Sequence, residues 1–265
     1  MLKKRIHLFE LEDFDWFPAV LREAGTSYLN KIVQVSGHAA SVAEHLASKI
    51  GSPKRLKIVD MCSGGSGPIP LVVDELRKRG IDASATLTDF FPNKAAIEKF
   101  ADHPHIRYHE ESIDATALPK EMKGFRTIMN GLHHFRPEMV SKILLDAQQS
   151  GQPIAIYEIV GRDPGTILGT AVAVPLTTLA LVPFLRPLRP AWLPLTYIVP
   201  AIPAFVAWDG FVSCLRVYSV REMREIIDSL PASKTYRWEA GRFRQKLGPG
   251  YFRYVIGQPV NSRKS

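Results

Sequence analysis

Between residues 56 and 159, short apolar runs alternate with longer stretches that carry apolar residues on one side. The runs Leu56–Cys62, Ala83–Asp89, Ile106–Glu111, Arg126–Asn130 and Ile154–Ile159 predict five strands. Helices are predicted between them: one opening near Pro68 and stopping at Gly80, one from about Pro92 to Phe100, and one from near Pro137 to Gly151. Strands alternating with helices imply an α/β fold with a mainly parallel sheet covered on both faces. Further on, Ser219-Val220-Arg221-Glu222 has the form of a capping box. It opens a helix with Met223, Ile226, Ile227 and Leu230 on one face. Tyr236–Phe243 and Tyr251–Gly257, around Gly248-Pro249-Gly250, read as a closing hairpin.

Two regions depart from this alternation. The first is N-terminal, where Phe9, Leu11, Phe14, Trp16 and Phe17 are interspersed with acids. A helix is predicted from Pro18 through Leu29, and another from Ser41 to Ile50, ended by Gly51-Ser52-Pro53. Residues 1–55 therefore read as a helical cap. Its aromatics either form the core of that layer or belong to a lid in which Tyr28 or Trp16 touches a ligand. The second region, 166–208, is apolar and rich in proline. Its arms Ile167–Leu185 and Ala191–Trp208 flank a basic segment containing Arg186 and Arg189. Each arm approaches the ~20 residues that cross a bilayer, but the prolines favour kinked or short helices. The expected organisation is a cap (1–55) and a main domain (56–265) with a hydrophobic insertion (166–208).

Composition adds bounds. The chain has 265 residues, 46% apolar and 23% charged, enough for a real core. The net charge of +8 suits an anionic surface or an acidic ligand. No basic run is interleaved with aromatics, which argues against nucleic acid. Cys62 and Cys214 make neither a disulfide framework nor a metal pair, so a reducing compartment is expected. No apolar leader pattern opens the sequence, so the expectation is a cytoplasmic protein, peripheral at the inner face of a membrane if the insertion meets lipid.

The candidate chemistry lies at the strand ends. Asp60 is followed by Cys62-Ser63-Gly64-Gly65-Ser66-Gly67, a strand–glycine loop–helix junction. Such a loop allows a sharp turn and lets a ligand approach backbone N–H groups at the helix start, or it is simply a tight turn. Asp60 stands where a carboxylate can receive ligand N–H or O–H groups. Asp89 ends the second strand, 22 residues past Gly67, where an acid accepts ribose hydroxyls or caps a helix. Asp114, after the third strand, either bonds an adenine amine or shapes a turn.

These motifs resemble those of class I S-adenosylmethionine-dependent methyltransferases, over about residues 56–165 and 210–258. The resemblance implies a seven-stranded, mostly parallel Rossmann-like sheet with a C-terminal antiparallel hairpin. It also implies S-adenosylmethionine as cofactor, contacted by Asp60, Cys62, Gly64, Gly65, Asp89, Phe90, Asp114, Ala115 and Asn130. The glycine motif departs from the family pattern: Cys62 holds the first glycine position and Ser66 the third. An NAD-binding Rossmann domain is the rival for the loop alone, but it needs neither the hairpin nor Asp114.

The fourth strand ends in Asn130-Gly131-Leu132-His133-His134, which the resemblance places beside the transferable methyl group. His133 or His134 could act as general base, or the pair could only pack and cap the next helix. No carboxylate or thiolate set accompanies them, so no metal is expected. Glu158 closes the fifth strand and could meet substrate or pair with a neighbour. Asp209 could face the site or begin a turn. Tyr28, Glu158 and Asp209 are the substrate-side candidates.

In this family the insertion lies where substrate-recognition pieces are commonly placed. It could form a lid, dip into a membrane or make a homo-oligomer face; all three bring an apolar partner near the site. The expected function is methyl transfer to a hydrophobic or lipid-like small molecule, oxygen being favoured as acceptor. The alternatives are a catalytically silent cofactor-binding scaffold at membranes, or a protein methyltransferase acting on a membrane partner.

Overall fold

The computed structural model describes residues 4–246 and 250–260. In chain order these form α1 (Ala19–Val35), α2 (His38–Ile50), β1 (Arg55–Met61), α3 (Ile69–Lys78), β2 (Asp82–Leu87), α4 (Lys94–Phe100) and β3 (Ile106–Tyr108). Next come β4 (Phe125–Met129), α5 (Pro137–Ser150), β5 (Ile154–Glu158), α6 (Pro164–Leu181), α7 (Pro194–Tyr197), α8 (Ala201–Arg216), α9 (Val220–Ser229), β6 (Tyr236–Arg244) and β7 (Tyr251–Pro259). Contacts divide the chain into two compact units. One joins the segment ending at Ser36 to Val160–Tyr218; the other joins Gly37–Ile159 to the chain from Ser219 onward. This grouping differs from the expected cap of 1–55. α2 packs on α3 and shares the core of the sheet, whereas α1 belongs with the insertion.

The sheet unit has strand order β3-β2-β1-β4-β5-β7-β6. The first five strands run parallel, and β7 lies antiparallel to both β5 and β6. All five residues of β4 and of β5 are buried, as befits central strands covered on both faces. On one face Val42 and Leu46 of α2 and Val72, Val73 and Leu76 of α3 join Ile58, Leu87 and Ile106 in one core. α5 and α9 pack against each other and against the hairpin end of the sheet. The predicted capping box is formed: the Ser219 hydroxyl and the Glu222 carboxylate each serve the other's backbone N–H. The Gly248-Pro249 part of the predicted turn lies outside the described residues. The chain enters at β1, runs outward to β2 and β3, then returns to β4 on the other side of β1. The loops after β1 and β4 thus meet at the switch point where open α/β sheets bind ligands.

In the other unit, Tyr28 of α1 packs with Val182, Trp192, Ile202 and Phe205. Gly25 lets α1 and α8 approach closely there: a Cβ would lie 2.8 Å from the Phe205 ring, which would have to shift. α6 runs through Pro175 as one helix, the longest in the insertion, where the prolines led to an expectation of kinked or short helices. Hydroxyls of Thr177 and Thr178 bond the carbonyls of Ala173 and Val174 around that turn. The breaks fall instead at 182–200, where Pro183, Pro187, Pro190, Pro194 and Pro200 leave only short turns and α7. The insertion also ends later than expected, because α8 continues past Trp208 to Arg216.

Candidate active site

The loop after β1 is shaped by four left-handed residues: Cys62 (φ 59°), Gly64 (48°), Ser66 (99°) and Gly67 (50°). Cys62 and Ser66, the two that replace expected glycines, hold the backbone conformation that glycine adopts without strain. The turn is closed by the Ser66 N–H bonding the Ser63 carbonyl at 2.8 Å, with Gly65 inside it. A Cβ at Gly64 would meet no protein atom within 4 Å, so the backbone there is accessible to a ligand.

Asp60 does not present its carboxylate to a ligand as the sequence suggested. It is 2% exposed, with Oδ1 accepting the Thr127 hydroxyl at 2.5 Å and Oδ2 the Ser63 hydroxyl at 2.7 Å. These bonds tie the loop to β1 and β4. Burial pushes the Asp60 pKa up to about 7, against the pull of the two hydroxyls and with a smaller push from Asp89.

Asp89, just past β2, grips the loop. Its Oδ2 accepts the Gly64 N–H and its Oδ1 the Phe91 N–H, both at 2.8 Å. Tyr108, the last residue of β3, donates its hydroxyl to the Gly64 carbonyl at 2.8 Å. Gly64 is therefore held from β2 through its N–H and from β3 through its carbonyl. Asp114 is exposed; its Oδ1 accepts both the N–H and the hydroxyl of Thr116, the turn reading of this residue. The adjoining Ile113 N–H bonds the Asp89 carbonyl at 2.9 Å, which anchors this loop beside β2. Phe90 is exposed and edge-on to Phe91, and Ala115 is buried. Burial raises the pKa of the Cys62 thiol, and Asp89, Asp60, Asp114 and Glu158 each add to the effect. The Gly64–Asp89 and Ile113–Asp89 bonds bring the segments carrying Asp60, Asp89 and Asp114 side by side at the strand ends.

At the end of β4, Asn130 is left-handed (φ 55°) and its side-chain oxygen accepts the Ile159 N–H at 3.0 Å. It joins the ends of β4 and β5, with its amide NH2 unbonded among the described residues. Leu132–His134 form one 3-10 turn. Glu158 at the end of β5 accepts the N–H groups of Leu132 (2.7 Å) and His133 (3.2 Å) on Oε1, while Oε2 lies 2.8 Å from His133 Nδ1. Both side chains are buried. Glu158 thus holds the His133 ring in place through Nδ1 and through the backbone at the start of its turn. The His134 ring lies 4.4 Å from that of His133, tilted 34°.

All three substrate-side candidates are engaged by protein partners, which for Glu158 and Tyr28 is the alternative the sequence left open. Glu158 orients His133. Tyr28 is buried in the core of its own unit, with its hydroxyl 2.6 Å from that of Thr177. Asp209 is neither a turn nor an open acid: it sits within α8 and accepts the N–H groups of Leu11 (2.7 Å) and Glu12 (3.2 Å). Sequence reading missed Ser63, Tyr108 and Thr127. A hydroxyl in the middle of an otherwise buried strand was the available signal for Thr127, and a hydroxyl at a strand end was the signal for Tyr108.

No protein-family model and no curated protein sequence matches the chain. Solved structures do match its fold. The citrinin polyketide synthase CMeT domain is 12% identical, with TM-score 0.55 over 94% of this chain; the chain spans 59% of that one. The plantazolicin methyltransferase BpumL, in complex with SAH, is 11% identical with TM-score 0.55 over 89% of each chain. A protein named among the Zn-dependent alcohol dehydrogenases, from Rhodobacter sphaeroides, is 15% identical with TM-score 0.51, covering 90% of this chain and 97% of that one. At these identities the likeness concerns the fold. The antiparallel β7, inserted between β5 and β6, separates this sheet from the order 3-2-1-4-5-6 of a dinucleotide-binding domain. The chain has the class I methyltransferase fold.

Proposed function

We propose that the protein is an S-adenosylmethionine-dependent methyltransferase acting on a hydrophobic or lipid-like small molecule, with oxygen as the favoured acceptor. One observation carries the reading: a buried His133–Glu158 pair stands at the switch point of a methyltransferase sheet, beside a glycine loop gripped by Asp89. A neighbour of the same fold is named as holding SAH, which supports the cofactor assignment. The donor set also fits that cofactor. Asp89 and Asp114 would accept its ribose hydroxyls and adenine amine, the accessible backbone at Gly64 would lie against it, and the Asn130 amide would reach its amino-acid end. When bound, S-adenosylmethionine supplies an electrophilic methyl group.

The chain's own contribution is orientation and proton transfer. Glu158 holds the His133 ring in place, and His133 would take the proton of an acceptor hydroxyl as the new bond to oxygen forms. A positioned base of this kind is worth about 10²–10⁴ in rate. The apolar insertion supports an apolar acceptor, since 164–208 carries no acid and two arginines.

The test is transfer of labelled methyl from S-adenosylmethionine into a lipid extract by the full chain. The expected result is labelled product, with His133→Ala slowing turnover roughly 10²-fold or more while cofactor affinity is retained. Cofactor binding without transfer to any extract would favour the silent scaffold, and label in protein alone would favour a protein methyltransferase.

A further inference from the structure

We propose that the exposed apolar face made by α6 and the following segment 182–200 docks onto a lipid bilayer bearing anionic headgroups. The stretch Pro164–Phe184 is long and apolar enough to cross a membrane, yet 11% of it is buried. Leu168 (67% exposed), Val172 and Leu176 (61%) follow one another at four-residue spacing along its outer side. Phe184, Ile198 (79%) and Val199 extend the face beyond the helix end. The Tyr197 hydroxyl bonds the Leu179 carbonyl at 2.5 Å, so the tip and the end of α6 form one surface. An apolar surface of this extent is what a soluble monomer does not leave to water.

The other flank of α6 is already used. It packs on α8, where a Cβ at Gly210 would come within 3.3 Å of Thr170. α6 is therefore not a lone helix at liberty to span. The segment 182–200 is built of short turns and prolines, which pair fewer backbone groups than a continuous helix does and so suit hydrocarbon less well. α7 and α8 meet at a 76° bend, a shape that dips and returns. Depth at the headgroup–acyl boundary satisfies both features.

Charge selects the occupant. Within 164–208 the charged residues are Arg186 and Arg189, with no acid. Arg189 pairs with Glu23 at 2.6 Å. Arg186 is exposed; its guanidinium bonds the carbonyls of Leu185 (2.8 Å) and Pro183 (3.4 Å) and faces no acid among the described residues. A second copy of the chain would bring a second Arg186, unpaired among the described residues, against this face, and the apolar segment 164–208 holds no acid to neutralise it. Anionic headgroups supply the complement, at apolar and basic positions a few residues apart.

The test is sedimentation of the full chain with phosphatidylcholine vesicles, with and without phosphatidylglycerol, in the absence of cofactor. Binding should be several-fold tighter with phosphatidylglycerol, and Arg186→Glu should abolish that preference. Ile198→Asp combined with Val199→Asp should weaken binding at least tenfold; both side chains are exposed, so the fold has little to lose. Absence of vesicle binding by the wild-type chain overturns the proposal. So does a dimer, seen by sedimentation without lipid, that the double aspartate variant dissociates. Neither outcome bears on methyl transfer, which is read separately.

Discussion

Replacing Asp60 by asparagine tests whether the glycine loop is moored through a buried acid. Burial raises the Asp60 pKa from 3.8 to about 7. A group whose pKa rises on folding holds its proton more tightly in the folded chain. Its stabilising contribution is complete below the unfolded value and is lost as pH rises through the folded one. At about 1.4 kcal/mol per unit, the wild-type chain loses roughly 2–3 kcal/mol from this group between pH 5 and pH 8. Asparagine has the same shape and no such titration. Its oxygen can accept from Thr127 or Ser63, and its NH2 can face the other hydroxyl, which can turn to accept. Urea denaturation of both proteins at the two pH values gives the answer. The stability of Asp60→Asn relative to wild type should rise by roughly 2–3 kcal/mol from pH 5 to pH 8. An equal difference at both pH values would mean that the carboxyl titrates normally, and the description of a buried mooring would fail.

Two further changes have defined outcomes. Ser66→Gly relieves a left-handed serine (φ 99°) and should raise stability by about 0.5–1 kcal/mol after the added chain entropy of glycine, a few degrees in melting temperature; a lower melting temperature would assign the hydroxyl a holding role. His45 stacks on Phe243 with ring centroids 4.0 Å apart, and burial, aided by Lys49, lowers its pKa to about 4. Its contribution is present above pH 6.5 and fades as pH falls toward 4, so His45→Phe should flatten the acid limb of stability between those values; an unchanged limb would refute this.

The sheet was legible because its signals are local. Apolar runs bounded by glycine and proline mark the strands, and the capping box at Ser219 marks α9 to the residue. The convergence of Asp60, Asp89 and Asp114 followed from their place at successive strand ends. What stayed hidden depends on partners far along the chain. Glu158 and His133 are 25 residues apart, Tyr108 and Gly64 are 44, and Asp209 reaches Leu11 across 198. Each side chain could equally have faced a ligand, and only the packed structure shows its oxygens already engaged. Pro175 misled for a different reason: α6 tolerates one proline, and the chain breaks only where several fall together after Val182. Removing 166–208 is accordingly no clean excision, because it would strip α1 of the side chains around Tyr28 and cut α8 in two.

The central claim is that one cofactor site lies at the ends of β1, β2 and β4, and titration calorimetry of the full chain with S-adenosylmethionine tests it most directly. The account predicts a single saturable site whose affinity falls roughly 5- to 150-fold in Asp89→Ala, the scale of one lost buried hydrogen-bonding group. No heat of binding in the folded wild-type chain, or equal affinity in the two proteins, would contradict it.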